Sequence, residues 1–400
     1  MNTLTKNVII IVIDALRPKN LSLFGYDKET DKNLIRISNN GILFRNHFSA
    51  ANSTAPSVTS ILTGKYPKNH GIIHQLPYTK EEEIQKFEKR KFWLPEFLKI
   101  NGYTTIGIDW IGLWFKEGFD YYGEGEVSDE TDAPFKSAEN ITSLALLKIR
   151  DTKKPFFLFL HYWDTHFPFP HVKYEEQGDE KDIQNTLNSI TNESQREYLK
   201  KRIQGKSLYT IQGMKDKYDL SITDVDKQIG RIYNFLGEKD LLQDTIIFIL
   251  GDHGVNLTEH GIYFSPSGLY DDSIHSPLIA HIPDFEKKEI DSFVQNIDIV
   301  PTILDYLNLK SDEKFDGKSL IPLIKNNLPL RDKIITFDGL CEDIKAVRTK
   351  NKKLIIAKNN FCNLCKSTHH KNIEEYDLEK DPGEINNIFS GKSELMKDLA

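Results

Sequence analysis

Cysteine is scarce in this chain of 400 residues, which has three cysteines, Cys341, Cys362 and Cys365, all late in the sequence. An odd number of cysteines argues against a framework of disulfides as the source of stability. A surplus of positive charge is also missing, since 52 Lys and Arg stand against 59 Asp and Glu, a formal net charge of −7. Such a chain has no basic field that attracts nucleic acid. An anionic substrate would therefore need a local metal ion or local cations.

Long hydrophobic runs are absent as well. The apolar run at residues 8–13 is far shorter than the roughly 20 residues that span a membrane. It also lacks the preceding basic segment and the small-residue cleavage site of a secretory signal. We therefore expect a cytoplasmic protein without a membrane span, acting on a small anionic ester. No pattern in the sequence indicates an oligomeric state.

The apolar runs that are present alternate with helical patterns, which is typical of an α/β fold with a largely parallel sheet. The candidate strands are residues 8–13, 104–108, 156–160, 245–250 and 277–282. Residues 216–236 repeat apolar side chains every three or four positions, the pattern of one face of a long helix. We predict a three-layer α/β/α sandwich.

Two segments break this rhythm. Residues 171–215 are rich in Glu, Gln, Asn and Lys, and such an insertion is either a lid over a binding site or a plain surface excursion. From about residue 330 the pattern changes to short β-like runs. We predict a catalytic domain at residues 1–329 and a small C-terminal α+β subdomain with an antiparallel sheet at residues 330–400.

Three segments far apart in sequence carry the residues suited to catalysis. Asp14 directly follows the first strand, Thr54 precedes a helical run, and Asp252 and His253 directly follow the strand at residues 245–250. Active sites of open α/β sheets collect at the carboxyl ends of strands, so these side chains are expected to meet. Two carboxylates and an imidazole suit Zn²⁺ or Mn²⁺, and Mg²⁺ or Ca²⁺ less well.

Thr54 is the candidate nucleophile. As a further ligand of the metal, its hydroxyl would have a lowered pKa and could attack as an alkoxide. The helix that begins near Pro56 would add backbone N–H donors and the positive end of its dipole, which favour a phosphate group.

In this order, the segments resemble the sulfatase branch of the alkaline phosphatase superfamily over nearly the whole chain. The resemblance rests on four stretches: Asn7 to Arg17, Thr54-Ala55-Pro56-Ser57 with its following helix, His161 to His166, and Gly251-Asp252-His253-Gly254 with Glu259-His260-Gly261. It implies an alkaline-phosphatase-like fold and a metal-dependent hydrolase acting on ester bonds.

The chain departs from the family pattern where sulfate chemistry is concerned. A sulfatase needs Cys or Ser at the position of Thr54, because that residue is converted to formylglycine, and threonine cannot give the aldehyde. The usual arginine after Pro-Ser is Val58, and the family's Lys-Trp-His-Leu-Gly segment is Asp-Trp-Ile-Gly-Leu at residues 109–113. Threonine at this position resembles the phosphodiesterases, phosphomutases and phosphotransferases of the superfamily.

We therefore predict a hydrolase of phosphate esters, either a phosphodiesterase or a phosphomonoesterase, or else a phosphotransferase, working through a phospho-Thr54 intermediate. Two alternatives stay open: a sulfatase that acts without formylglycine, and a pseudoenzyme that keeps the metal site. The spacing of Asp164 and His166 differs from the Asp-x-x-x-His pattern of two-zinc relatives. This favours one metal ion, and a second is left open.

The remaining site predictions concern residues near these motifs. The predicted metal ligands are Asp14, Thr54, Asp252 and His253. His166 and His260 are candidates for protonating the leaving group. Predicted substrate-binding residues are Asp164, His166, Arg17 and Lys65. For Asp164 a local backbone role is equally open, Arg17 could be a solvated side chain, and Lys65 could simply complement a helix dipole.

The late cysteines leave one further question open. Cys362-x-x-Cys365, with His369 and His370 close behind, is compatible with a structural zinc site that also includes Cys341. The spacing from Cys365 to the histidines is short for such a site. We favour free cysteines in a loop and keep zinc as the alternative.

Overall fold

The computed structural model describes residues 6–123, 136–153, 155–174 and 176–399. The strands in these residues are β1 Asn7–Ile13, β2 Ile42–Phe44, β3 His47–Phe48, β4 Thr104–Ile108, β5 Tyr121–Gly123, β6 Phe156–Tyr162, β7 Thr245–Gly251, β8 Leu278–His281, β9 Lys288–Ile290, β10 Val294–Gln295, β11 Lys333–Phe337, β12 Asp343–Thr349, β13 Lys352–Asn359 and β14 Ile373–Asp377. The helices are α1 Lys32–Ser38, α2 Thr54–Thr63, α3 Pro67–His70, α4 Glu81–Glu88, α5 Leu94–Ile100, α6 Ala138–Arg150, α7 Glu180–Asn188, α8 Glu193–Ile203, α9 Ile211–Glu238, α10 Asp271–Ile274, α11 Ile299–Leu307 and α12 Ile321–Asn326.

A mixed central sheet organises the protein, with the strand order β5-β4-β6-β1-β7-β8-β2-β9. The five strands from β5 to β7 run parallel to one another, whereas β8 runs antiparallel to β7 and to β2. This confirms the largely parallel sheet. Residues 277–282 form a strand as predicted, but its antiparallel direction could not be read from an apolar run.

Both faces of the sheet are buried, and successive side chains of each strand point to opposite faces. In β1, Ile9, Ile11 and Ile13 enter one hydrophobic core, and Val8, Ile10 and Val12 enter the other. Helices α1, α6 and α9 supply apolar residues to the first core, and α2, α5, α11 and α12 supply the second. These two helical layers around one sheet confirm the predicted three-layer sandwich.

Two predicted segments have more regular structure than their composition indicated. The long helix, expected at residues 216–236, spans Ile211–Glu238. Residues 171–215 contain α7 and α8, which pack Leu187, Leu199 and Ile203 into the first core. The insertion is therefore a helical layer that is anchored in the protein interior.

The C-terminal residues form an antiparallel sheet in the order β11-β12-β13-β14. A buried ion network joins this sheet to the rest of the chain: Lys353 of β13 lies 2.9 Å from Asp271 of α10 and 2.7 Å from Glu384. The antiparallel sheet is as predicted, and the domain division at residue 330 stays a prediction. None of the helices in the described residues combines the length and apolar character needed to cross a lipid bilayer.

Candidate active site

Two neighbouring strands, β1 and β7, lead directly into the two carboxylates of the site. Asp14 follows β1 and Asp252 follows β7, and β1 pairs with β6 on one side and with β7 on the other. The backbone N–H of Asp14 donates to Tyr162 of β6, at 2.9 Å, and that of Asp252 donates to Ile13 of β1, at 3.4 Å. Because parallel strands end at the same edge of a sheet, both carboxylates project from that edge.

Thr54 is the first residue of α2, and its hydroxyl faces these strand ends. The Oγ1 atom lies 3.0 Å from Asp14 Oδ1 and 3.2 Å from His253 Nε2. His253 Nδ1 lies 2.7 Å from the carbonyl oxygen of Gly254, which can only accept, so Nδ1 carries the hydrogen. The lone pair of Nε2 therefore points toward Thr54, and the hydroxyl lies between two acceptors.

The donor set fits a divalent cation. One ligand atom each from Asp14, Asp252 and His253 lies within 4.8 Å of the others. Among the described residues, the buried Oδ2 atoms of both carboxylates have no hydrogen-bond partner. Burial, together with the charge of Asp252, raises the pKa of Asp14 well above its usual range. A cation bound between the carboxylates would satisfy both orphaned oxygens and relieve their repulsion.

Backbone geometry holds the two carboxylates in register. Ala15 adopts a left-handed conformation with φ of 52°, a strain of about 1–3 kcal/mol for a residue with a Cβ. In return its N–H donates to Asp252 Oδ1, at 3.0 Å, and its carbonyl accepts from the Tyr218 hydroxyl, at 2.7 Å. Gly254 is needed for close packing, because a Cβ there would lie 2.2 Å from the carbonyl oxygen of Asp272.

The start of α2 is tied to the same strand end. Ser57 Oγ donates to the carbonyl of Asp252 at 2.6 Å, so this serine fixes the helix rather than contacting substrate. The N–H of Ala55 donates to Gln75 Oε1 at 2.7 Å, and that of Ser57 to the Ser53 carbonyl at 3.1 Å. The sequence predicted that this helix start offers N–H groups to a phosphate. That prediction needs correction, because these donors are already used and Pro56 has none.

A cavity of about 530 Å³ opens above Thr54, Asp14 and His253. Much of its wall is aromatic, from Tyr78, Trp110, Trp163, Phe167, Phe169, Tyr198 and Phe264. In the aromatic-rich segment that follows β4, Trp110 and Ile111 line the cavity, whereas Trp114 is buried in the second core.

Three cations also line this cavity: Lys201 and Arg202 at the end of α8, and Lys206 just beyond it. In the part of the chain that the structure describes, none of them forms an ion pair with a carboxylate. Arg202 donates to the carbonyl of Phe167, and its guanidinium lies 5.6 Å from the centre of the Phe167 ring. The polar insertion thus adds positive charge to the wall of the cavity that Thr54 also lines.

His166 lies in the cavity wall as a neutral imidazole. Burial, together with the nearby Arg202 and His253, lowers its pKa to about 3. At neutral pH it can therefore exchange hydrogen bonds with a substrate, but it holds no imidazolium proton for a leaving group.

The structure does not bring Arg17 or Lys65 to the cavity. Arg17 lies 2.9 Å from Glu259 and 3.4 Å from Asp272, so it joins loops behind the site. Lys65 lies beyond the far end of α2, about 15 Å along the helix from Thr54, and pairs with Glu313 at 2.7 Å.

Asp164 and His260 also lie outside the cavity lining. Asp164 Oδ1 accepts from the N–H of Ala138, at 3.0 Å, and so holds the first turn of α6. His260 stacks on Tyr270, with ring centres 3.5 Å apart, on the side of the C-terminal sheet. Both residues therefore have structural contacts within the protein. A sequence pattern does not distinguish such contacts from contacts with a substrate.

Asp109 is a buried residue that the sequence reasoning did not select. It follows β4 and accepts from the Trp163 indole N–H at 2.9 Å, and its Oδ1 lies 3.3 Å from His161 Nδ1. It therefore fixes the orientation of one cavity wall. Its place directly after a strand is the same signal that identified Asp14.

Comparisons with known proteins show which family the chain resembles. The family model described as Sulfatase matches residues 6–309, and one described as N-sulphoglucosamine sulphohydrolase, C-terminal, matches residues 258–399. The N-acetylglucosamine-6-O-sulfatase of Bacteroides thetaiotaomicron is 27% identical, over 98% of this chain and 84% of that protein.

Solved structures are also similar to this chain. One, in complex with its substrate D-glucosamine-2-N,6-O-disulfate, has a TM-score of 0.72 and 23% identity, covering 99% of this chain and 95% of the other. The phosphonate monoester hydrolase of Agrobacterium radiobacter has a TM-score of 0.70 and 18% identity, covering 98% and 93%. These likenesses confirm the alkaline-phosphatase-like architecture predicted from the sequence.

Proposed function

The chain belongs to the sulfatase family of ester hydrolases, and on that premise we propose that it cleaves sulfate monoesters with the Thr54 hydroxyl as nucleophile, without formylglycine. The observation that carries this proposal is the position of Thr54 Oγ1, 3.0 Å from Asp14 Oδ1 and 3.2 Å from His253 Nε2. The phosphate-ester hydrolase predicted from the sequence is not confirmed. The relatives named as sulfatases favour the alternative that was kept open.

Asp14, Asp252, His253 and the Thr54 hydroxyl are the residues that would hold the cation. When bound, a divalent ion supplies Lewis-acid stabilisation of charge on the ester oxygens and lowers the pKa of the hydroxyl. Carboxylates with one imidazole suit Zn²⁺ or Mn²⁺, and Ca²⁺ or Mg²⁺ remain candidates.

The residues of the chain then account for the displacement of the alcohol from sulfur by the Thr54 oxygen. Asp14 Oδ1 lies 3.0 Å from Thr54 Oγ1 and can accept its hydroxyl hydrogen, while Asp14 Oδ2 and His253 Nε2 are left to hold the cation. The Thr54 oxygen forms a bond to sulfur and passes its proton to Asp14. The bond from sulfur to the alkoxy oxygen breaks, and the departing alkoxide takes up a proton from solvent. Water then attacks the sulfo-threonine, which releases sulfate and restores the hydroxyl.

The cavity walls favour a small sulfated sugar as substrate. Lys201, Arg202 and Lys206 can balance the charge of the ester, while Trp110 and Trp163 offer flat surfaces for the apolar face of a sugar ring. Relatives whose names refer to sulfated amino sugars act on this class of compound.

Phosphate and phosphonate monoesters are the second candidate class. Two observations favour them: Thr54 itself, which cannot become formylglycine, and the likeness to phosphonate monoester hydrolases. The same attack at phosphorus would give a phospho-threonine intermediate, as the sequence predicted.

A substrate panel decides between these classes. Purified protein is assayed with p-nitrophenyl sulfate, glucosamine 6-sulfate, p-nitrophenyl phosphate, bis-p-nitrophenyl phosphate and a phenylphosphonate ester, with each divalent metal in turn. We expect the highest kcat/KM on a sulfate ester. A phosphate or phosphonate ester hydrolysed faster than every sulfate would establish the second class instead.

Variants of α2 test the nucleophile in the same assays. Thr54→Ala should lower kcat by about 10⁴-fold or more, whereas Thr54→Ser keeps a hydroxyl and should retain most of it. Thr63→Ala removes a buried hydroxyl from the far end of the same helix and serves as the matched control. Wild-type rates in Thr54→Ala would refute the proposed nucleophile for either substrate class.

A further inference from the structure

A second cluster of metal-binding side chains lies outside the catalytic cavity. Cys362, Cys365 and His369 belong to the turn between β13 and β14, and one ligand atom from each lies within 4.8 Å of the others. The Cys365 sulfur lies 2.9 Å from His369 Nε2. Cys341, just before β12, is packed in the same buried cluster as Cys362 and Cys365. All three cysteines are buried and unoxidised.

The backbone of this turn brings the sulfur atoms of Cys362 and Cys365 close together. The N–H of Cys362 donates to Ser367, at 2.9 Å, and the N–H of Lys366 donates back to Cys362, at 3.0 Å. Lys366 adopts a left-handed conformation with φ of 55°, which tightens the turn. A Cys-x-x-Cys pair on such a tight turn is the arrangement that zinc knuckles use.

We propose that Cys341, Cys362, Cys365 and His369 form a structural zinc site. Three thiolates and one imidazole are a complete tetrahedral set of soft and borderline ligands, which selects zinc over Ca²⁺, Mg²⁺ or Mn²⁺. Because no coordination position would be left open, the ion would stabilise structure rather than activate water. The short spacing in sequence is no obstacle, since the fold already places Cys365 and His369 in contact.

The distances suit this assignment. Ligand atoms of a tetrahedral zinc ion lie about 3.5 Å apart, so the Cys365–His369 contact, at 2.9 Å, would need to open by well under 1 Å.

The cluster supports one wall of the catalytic cavity. Leu340 and Leu364, each adjacent to a cysteine of the cluster, line that cavity. The N–H of Asn363 donates to Leu340 at 2.8 Å, and the N–H of Gly339 donates to Asn52 Oδ1 at 2.9 Å, two residues before Thr54. Zinc here would therefore hold together the loop that carries the nucleophile and the wall that faces the substrate.

Cobalt substitution tests the site directly. Protein stripped of metal and refilled with Co²⁺ should show a strong thiolate-to-cobalt absorption in the near ultraviolet. The catalytic cluster holds no sulfur, so only the cysteine cluster can produce this band. Absence of the band from folded wild-type protein, or its survival in Cys365→Ser, would overturn the proposal.

Metal content gives an independent measurement. Protein with Asp252→Asn should still contain about one zinc per chain, released when a mercurial reagent titrates the thiols. Cys365→Ser and His369→Asn should each lose that zinc, whereas His281→Asn, a control far from the cluster, should keep it. A native disulfide among the three cysteines, or equal zinc in Cys365→Ser and wild type, would refute the site. None of these measurements depends on the substrate of the enzyme.

Discussion

Two clusters of buried carboxylates in this protein have opposite surroundings. Asp271 and Glu384 share the buried Lys353, and Arg348 adds a second cation 3.0 Å from Asp271. Asp14 and Asp252 have only His253 as a basic neighbour in ion-pair range, and their Oδ2 atoms have no hydrogen-bond partner among the described residues. Buried carboxylates that are ion-paired with Lys and Arg hold a structure together, whereas buried carboxylates without such a cation are expected at a ligand site.

The pKa directions of Asp271 and Asp14 show the same difference, whereas burial raises the pKa of Glu384 to about 7 although Lys353 opposes it. Although burial works to raise the pKa of Asp271, Lys353 and Arg348 outweigh it and hold that pKa well below its usual range. For Asp14, burial and the neighbouring Asp252 both raise the pKa, and nothing of comparable strength opposes them. A cation bound between Asp14 and Asp252 would therefore stabilise these two proposed metal ligands.

The largest expected effect concerns the paired cluster. Lys353→Met should lower the free energy of unfolding by about 3–5 kcal/mol, because it leaves two buried carboxylates without their shared cation. Lys352→Met, a change at the neighbouring exposed lysine, should cost less than about 1 kcal/mol. Chemical denaturation measures both, and equal losses would show that the network contributes nothing beyond a surface ion pair.

Asp252→Asn should have the opposite effect to Lys353→Met, with a large loss of activity and little change in stability. It keeps the Oδ1 acceptor for Ala15 and replaces the orphaned Oδ2, so stability without metal should change little. The rate should fall by about 10²–10³-fold or more, since charge stabilisation at the reacting centre is lost. Asp244→Asn, at the other end of β7, is the control for steady-state kinetics. Full activity in Asp252→Asn would mean that this carboxylate is structural.

Removal and return of the metal ion should distinguish the Asp14–Asp252 cluster from the Lys353 cluster by a smaller change in stability. Adding Mn²⁺, Ca²⁺ or Mg²⁺ to chelator-treated protein, at about 100 times the dissociation constant, should stabilise it by about 2–3 kcal/mol. These ions bind thiolates poorly, so the cysteine cluster should not respond. Lys353→Met should gain as much as wild type in thermal unfolding, and Asp252→Asn much less. A full gain in Asp252→Asn would place the cation elsewhere.

The smallest effect concerns Glu259, which pairs with Arg17 behind the site. Burial acts to raise its pKa, but Arg17 and backbone N–H groups outweigh burial and lower the pKa to about 2. A carboxyl with a lowered folded pKa stabilises the protein above its unfolded value and loses this contribution as pH falls from about 4.5 toward 2. Glu259→Gln should therefore cost about 1–2 kcal/mol near neutral pH and less in acid. A cost that does not change with pH would exclude this ion pair as the cause.

The catalytic centre was readable from local patterns. Asp14 and Asp252 each follow an apolar strand, and parallel strands that pair in one sheet bring such residues to a common edge. Thr54 was recognisable in the sequence by its place at the start of a helical run. The direction of β8 was not readable, because a buried strand has the same composition in either direction.

Strand ends and apolar spacing in the chain were enough to indicate the layered fold and the group around Asp14, Thr54 and His253, because both follow from periodicities that act over a few residues. Only the folded protein showed three further features. These are the partners of Arg17, the cations that α8 brings to the cavity, and the packing of Cys341 in one cluster with Cys362. These contacts depend on how distant segments pack, and the energy that selects such packing is shared over the whole core.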